Sequence, residues 1–429
     1  MSIRDLFDRA GGVTRRKLAA GTVAVAGAAA AATALSGCSG TQSKSEGEPQ
    51  VVTDSSQVVN VLDGDYKSGD LGLTISDGWT LPLGTLLWHS EGAWAAAMMA
   101  PESALHPNTI GAFSLSAGSL TTLMSAPTKG SAYGFHDVRL GTGVMAWIEM
   151  NYRTLDWVLL AQPFGNGAIS GAATELDSGD ANWEPPQFSC TGTMVVWQKM
   201  PMAKGSKSSE ASNCLVWKVG DSKGSSVWES KGRFATHPRV SNGTLAITPR
   251  VRVSEGTYYG ITALDLTSSN YSQLAQLVLP SSVKPFEAVY TGSQFAFSIE
   301  AAYESAGSLG NMGTFLGSSG GPYVYFSREP AAQVAFNGSH YLIKTQSAHY
   351  AIDTDSQKYQ GISSPDRSLG LGDFTASEGA CSTALVFATV RDNKGKPSHV
   401  LARLISLQGR AAVNPVAGWV ETKIRPALK

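Results

Sequence analysis

Short apolar runs, each opened by a glycine turn, recur along the chain at a nearly fixed spacing. They are EGAWAAAMM at Gly92, LGTGVMAWIEM at Gly141, TGTMVVWQ at Gly192, NGTLAIT at Gly243, TGSQFAFSI at Gly292, NGSHYLIK at Gly338 and EGACSTALVFATV at Gly379. The steps between these glycines are 49, 51, 51, 49, 46 and 41 residues. A period of this length marks an architecture that copies one supersecondary unit. Apolar stretches at 188–189, 239–241 and 334–336 precede the turns, so the local element is strand, tight turn, strand. Asn242-Gly243 and Asn337-Gly338 are hairpin signals, because both central positions of such a turn take positive φ.

A third strand and turn are legible in four units: IGAFSLSAGS at 110–119, CLVWKVGDS at 214–222, ITALDLTSSN at 261–270 and YAIDTDSQ at 350–357. A fourth follows in several, as in SSVWES at 225–230 and SQLAQLVL at 272–279. Four strands per repeat, taken seven times, predict an all-β fold, a β-propeller of seven four-stranded blades spanning residues 51–429, with six or eight left as the neighbouring counts. A two-domain sandwich explains short strands but not a fixed period. A β-helix has a shorter repeat, and a helical solenoid needs apolar spacing of three and four.

The form Pro-x-Phe-Ser-x-x-Gly-x-x-x-x-Trp appears as Pro186, Phe188, Ser189, Gly192 and Trp197, with a looser copy at Pro238, Ser241 and Gly243. In these residues the chain resembles the TolB-like and WD40-like propeller group over most of 84–407, although Cys190-Thr191-Gly192 replaces the usual Pro-Asp-Gly turn. The resemblance implies a fold and not an activity. Two departures from regularity are expected. The segment YESAGSLGNMGTFLGSSGG (303–321) takes the place of a third strand, and either 58–62 or 418–423 completes the last blade.

The first residues belong to another pattern. A charged stretch ending in Arg15, Arg16 and Lys17 precedes an uncharged, alanine-rich run at 19–35 and then Leu35-Ser36-Gly37-Cys38. Residues 1–37 read as a twin-arginine export signal whose end resembles a lipoprotein box, with Cys38 the lipidated residue. The polar stretch 38–50 reads as the lipidated cysteine and its tether. The expected location is the extracytoplasmic face of a bacterial cell membrane, anchored by lipid.

Removing residues 1–37 leaves 28 basic and 32 acidic side chains, a net charge of −4. That balance lacks the clustered Lys and Arg of a nucleic-acid partner, and a monomer is expected. Cys190, Cys214 and Cys381 remain, an odd number. Cys190 and Cys214 are separated by a full strand of the blade, too far for a bridge.

No zinc spacing joins the seven histidines, and neither Gly-x-Ser-x-Gly nor a nucleotide loop is present. No cofactor is identified. A propeller instead assembles a site from one residue per blade. His136, Glu184, His237, Glu287, Glu329 and Asp373 stand five to nine residues ahead of repeat glycines, where the inner strand begins. If they converge, a ring of His and carboxylate could bind a ligand, hold a divalent metal or act as acid and base. Without a catalytic pattern, the expected role is a non-catalytic binding or scaffold module for a protein or envelope glycan. The alternatives are an exported glycan lyase or hydrolase with its active site in the channel, and a redox propeller holding a cofactor.

Overall fold

The structure, a computed structural model, describes residues 46–103, 106–346, 348–363, 374–406 and 424–426. Arg15, Arg16, Cys38, Asp373 and the segment 418–423 lie outside the described residues. Helix among them is confined to two 3-10 turns, Ser55–Gln57 and Ser308–Gly310.

Among the described residues seven sheets follow one another. Blade 1 comprises Leu86–Trp88, Trp94–Met99, Thr109–Ser114 and Leu120–Met124. Blade 2 comprises Gly134–Leu140, Val144–Met150, Trp157–Gly165 and Thr174–Gly179, with blade 3 formed by Gln187–Thr191, Met194–Lys199, Ser212–Lys218 and Ser225–Ser230. Blade 4 comprises Arg239–Ser241, Thr244–Ile247, Tyr258–Asp265 and Gln273–Val278. Glu287–Tyr290, Phe295–Ile299, Gly313–Gly317 and Tyr323–Phe326 form blade 5, and Ala335–Phe336, His340–Lys344, Ala348–Asp353 and Lys358–Ser363 form blade 6. In each of these six blades the four strands named follow in chain order. The seventh is composite: Phe374–Thr375, Thr383–Arg391 and Pro397–Ser406 take Thr74–Leu81 as their next strand.

Burial explains the strand sequences. The second strand of a blade lies between two neighbouring blades, so both of its faces are apolar: every residue of VMAWIEM at Val144–Met150 is buried. Outer strands meet water on one side, and TELDSG at Thr174–Gly179 contains no buried residue. The core divides into seven apolar clusters, one for each junction between neighbours. The junction of blades 7 and 1 closes the ring through Trp79, Leu81, Leu87, Phe113 and Leu385. Here the turn after the third strand of blade 1 passes so close to the indole that only glycine fits. A Cβ on Gly118 would stand 1.8 Å from Trp79 Nε1, and φ there is +65°.

Three expectations need correction or refinement. The strand completing the last blade is Thr74–Leu81, antiparallel to Pro397–Ser406, whereas Val58–Asn60 pairs in parallel with Tyr323–Phe326 of blade 5. Blade 5 is regular, because its third strand, Gly313–Gly317, is hidden inside the glycine-rich segment. Its glycines leave room for aromatic neighbours: a Cβ at Gly313 would meet the Tyr325 ring at 2.4 Å, and one at Gly317 the Tyr323 ring at 2.5 Å. The last residues of the stretch read as a tether are bound to the propeller. Gly47 N donates to Gln276 Oε1 at 2.7 Å, Gln50 N donates to Val278 O at 2.9 Å, and Glu48 pairs with Arg252 at 3.2 Å.

From there residues 46–81 form a strap. They run along the outer edges of blade 4, blade 5 and, through Lys67–Ser68 pairing with Lys358–Ser363, blade 6, before entering blade 7. Unpaired edge strands invite pairing with other chains, and the strap occupies these edges. Cys190 and Cys214 are both buried and form no disulfide with each other, as the strand between them requires.

Candidate functional site

The first strand of each blade lines the axis of the ring. Inner strands of neighbouring blades run parallel, seen where Ala335 pairs with Gly379 and His89 with Ser377. All the turns from first to second strand therefore share one face, here the hairpin face, and the loops from second to third strand share the opposite loop face.

At the centre, the Arg239 guanidinium is buried between two carboxylates. It grips Glu287 in a fork, Nε to Oε2 at 3.0 Å and Nη2 to Oε1 at 2.8 Å, and Nη1 donates to Glu378 Oε2. Nη2 also reaches Gln333 Oε1 at 3.4 Å. Burial opposes the charge of Arg239, but the two carboxylates outweigh it and raise its pKa above the usual arginine value. Ser189 Oγ donates to Pro238 O at 2.7 Å and contacts Glu378 Oε1 at 3.3 Å. The cluster thus ties blades 3, 4, 5, 6 and 7 together across the axis.

Blade 1 supplies the next layer. His89 Nδ1 lies 2.9 Å from Ser377 Oγ and Nε2 lies 3.0 Å from Gly92 O. The carbonyl only accepts, so Nε2 carries the proton and Nδ1 accepts from the serine hydroxyl. Burial depresses the His89 pKa, in keeping with that neutral ring. Ser90 Oγ donates toward Leu140 O at 2.8 Å and Cys190 O at 2.9 Å. The Glu91 carboxylate accepts from Thr142 N at 2.8 Å, Gly192 N at 2.5 Å and Thr191 Oγ1 at 2.8 Å. Arg139 is paired with Asp137 and lies over Trp88, 4.7 Å from its ring centroid, and over Phe188 at 5.4 Å.

The space left between these layers is about 10 Å³, room for roughly one water molecule. On the hairpin face the channel opens into a cavity of about 480 Å³. Its walls come from blade 1 (His89 to Ala93, Leu115, Ser116), blade 4 (Asn242) and blade 7 (Ala380 to Thr383, Leu404).

The residues expected to converge are dispersed. Glu287 joins the Arg239 cluster. His237 lies at the channel wall, where Arg239, Arg139 and Asp137 are its charged neighbours. His136 is exposed beside Tyr152, its Nδ1 3.2 Å from the phenol oxygen. Glu184 pairs with Arg233 at 2.5 Å in the loop leading into blade 3, and exposed Glu329 accepts from Gln346 Nε2 at 2.7 Å. Among the described residues no three His, Cys, Asp or Glu side chains form a metal-holding group. The axial residues missed by sequence reading are His89, Arg139, Arg239 and Glu378. They stand one to four residues ahead of repeat glycines, deeper in the inner strand than the five to nine of the expected set.

Burial, with the guanidinium groups of Arg239 and Arg139, pushes the His237 pKa down to about 3. Unfolded, it would titrate near ~6.5. The unfolded chain therefore binds more protons between these values, and stability falls as pH drops from about 6.5 toward 3. Buried His349, depressed well below its ordinary value by burial, adds to the same slope. Thermal melts at pH 7 and pH 4 should show this loss, and His237→Gln should flatten it. An unchanged slope in the variant would contradict the assignment.

No protein-family model matches the chain. No curated protein matches it in sequence either. Among solved structures, a post-proline cleaving enzyme from Rickettsia typhi aligns over 74% of this chain and 52% of its own, with TM-score 0.50 and 9% identity. That likeness is one of fold. The chain is a β-propeller. It spans about half the length of that enzyme. The β-propeller domain of the Trilobed protease from Pyrococcus furiosus, described as having an open velcro topology, aligns at TM-score 0.48 and 8% identity over 80% of this chain and 99% of its own length. An oligogalacturonate lyase in complex with manganese aligns at TM-score 0.43 and 10% identity over 77% and 98%.

Proposed function

We propose that this propeller is a non-catalytic binding module, held by lipidated Cys38 at the extracytoplasmic face of the cell membrane, for a protein or envelope glycan. The observation that carries the reading is the filled axis. Glu287 and Glu378 are both gripped by Arg239, and the space beside them has room for about one water. A glycan lyase or hydrolase working in the channel would need a carboxylate or histidine free to move a proton at a bound substrate. His89, Glu91 and the Arg239 cluster are instead committed to hydrogen bonds within the protein, and burial beside Arg239 and Arg139 makes His237 a weak base. Surfaces suited to binding lie at the two faces. The hairpin face carries the 480 Å³ cavity, and the loop face of blades 1 and 2 exposes Leu83, Leu86, Tyr152 and Leu155.

The test passes solubilised cell envelope and purified envelope polysaccharide over the immobilised mature chain. Saturable retention with the ligand recovered at unchanged mass is expected. New reducing or unsaturated sugar ends after incubation would replace this reading with the enzyme alternative.

A further inference from the structure

The cavity on the hairpin face has a chemistry specific enough to name its ligand. Its thirteen described lining residues include no Lys or Arg, so among them nothing neutralises an anion. Its single carboxylate, Glu91, already accepts three hydrogen bonds from blades 2 and 3. His89, on the floor, is neutral with both ring nitrogens engaged. The groups still able to act lie around the rim. The Asn242 amide and the hydroxyls of Ser382 and Thr383 donate to nothing among the described residues, and Ser116 shares only a 3.3 Å contact with Ser114. Leu115, Leu404, Ala93 and Ala380 line the same cavity, so its wall is partly apolar.

We propose that this cavity binds one or two units of an uncharged sugar, as the end group of a neutral glycan. The assignment rests on the binding reading above and names its ligand class. Small-molecule sites occupy roughly 300–1,000 Å³ and place a few polar groups in a partly apolar wall. A sugar ring has that dual character, with C–H faces for the leucines and hydroxyl groups that both donate and accept for the amide and hydroxyl rim. The shape favours an end group over a strand of peptide: turns of blades 1, 4 and 7 stand around the cavity on several sides. The site is multi-blade, so no segment of sequence carries it.

The experiment is saturation-transfer NMR of the mature chain with glucose, galactose, mannose, N-acetylglucosamine and maltose, beside glucuronate and glucosamine as charged probes. At least one neutral sugar is expected to bind saturably. Ala93→Trp, which places a large ring in the mouth at an exposed turn, and Asn242→Asp, which keeps the turn and removes the amide donor, should each weaken it about tenfold or more, a shift of roughly 1.4 kcal/mol. Unchanged melting temperatures of both variants would separate blocked binding from misfolding. Absence of binding by every neutral probe, binding unaffected by Ala93→Trp, or preference for glucosamine or glucuronate would overturn the proposal. Envelope retention by Ala93→Trp equal to that of the parent would overturn the sugar site alone. Loss of all envelope retention by the parent chain would overturn the broader binding reading.

Discussion

Arg239→Met is expected to destabilise the propeller by about 3–5 kcal/mol, because it leaves buried carboxylates without their cation. Glu287 and Glu378 retain only 11% and 7% of their side-chain exposure, so water cannot replace the lost guanidinium. Methionine fills a similar volume, which confines the loss to electrostatics and hydrogen bonds. Arg239→Lys keeps the charge but cannot reproduce the fork to Glu287 together with the third bond to Glu378, and should lie between parent and methionine variant. Urea or guanidinium denaturation at neutral pH measures both. A loss below about 1 kcal/mol in Arg239→Met would mean that the carboxylates find other partners and that the axis is not held by this cluster.

Trp79→Ala is expected to cost about 3–5 kcal/mol, the range for removing a large aromatic from a packed core. Trp79 is 4% exposed and meets Phe113 edge to face, with centroids 5.4 Å apart. It sits on the strap's last strand, between the first and last blades, so the cavity it leaves weakens the junction that closes the ring. Trp228→Ala provides the contrast, since Trp228 is only partly buried on an outer strand and should cost distinctly less. Equal losses in the two variants would remove the special role given to the closing junction.

The blade pattern was legible because each second strand is buried on both faces. Runs such as WAAAMM and FAFSI need no contacts to be recognised, and a turn glycine marks where each begins. Closure was less legible. Thr74–Leu81 reads TISDGWTL, with a bulge between Ile75 and Asp77 that breaks the alternation, while Val58–Asn60 looks like a strand and serves at the outer edge of blade 5. The third strand of blade 5 was hidden by the glycines that make room for Tyr323 and Tyr325. Of the axial site, Glu287 was visible as a carboxylate at an inner-strand start. Arg239 and Glu378 were not, because their significance depends on a partner 139 positions away. His136, Glu184 and Glu329 also stand five to nine residues ahead of a glycine yet belong to exposed loops and rims, where a shift of a few residues turns a side chain from the axis to the solvent.

The strap also sets an order on synthesis. Trp79 pairs with Ala402, so a strand made early waits for one made more than three hundred residues later. Contacts this distant in sequence slow folding, since the intervening chain must be arranged before they form. Until then the flank of blade 1, with Leu87 and Phe113, has no cover. The hairpin-face cavity takes its walls from that flank and from Cys381, Ser382, Thr383 and Leu404 of blade 7. An unfinished or truncated chain therefore has no cavity at all, and occupancy of this one pocket reports that the last blade has met the first.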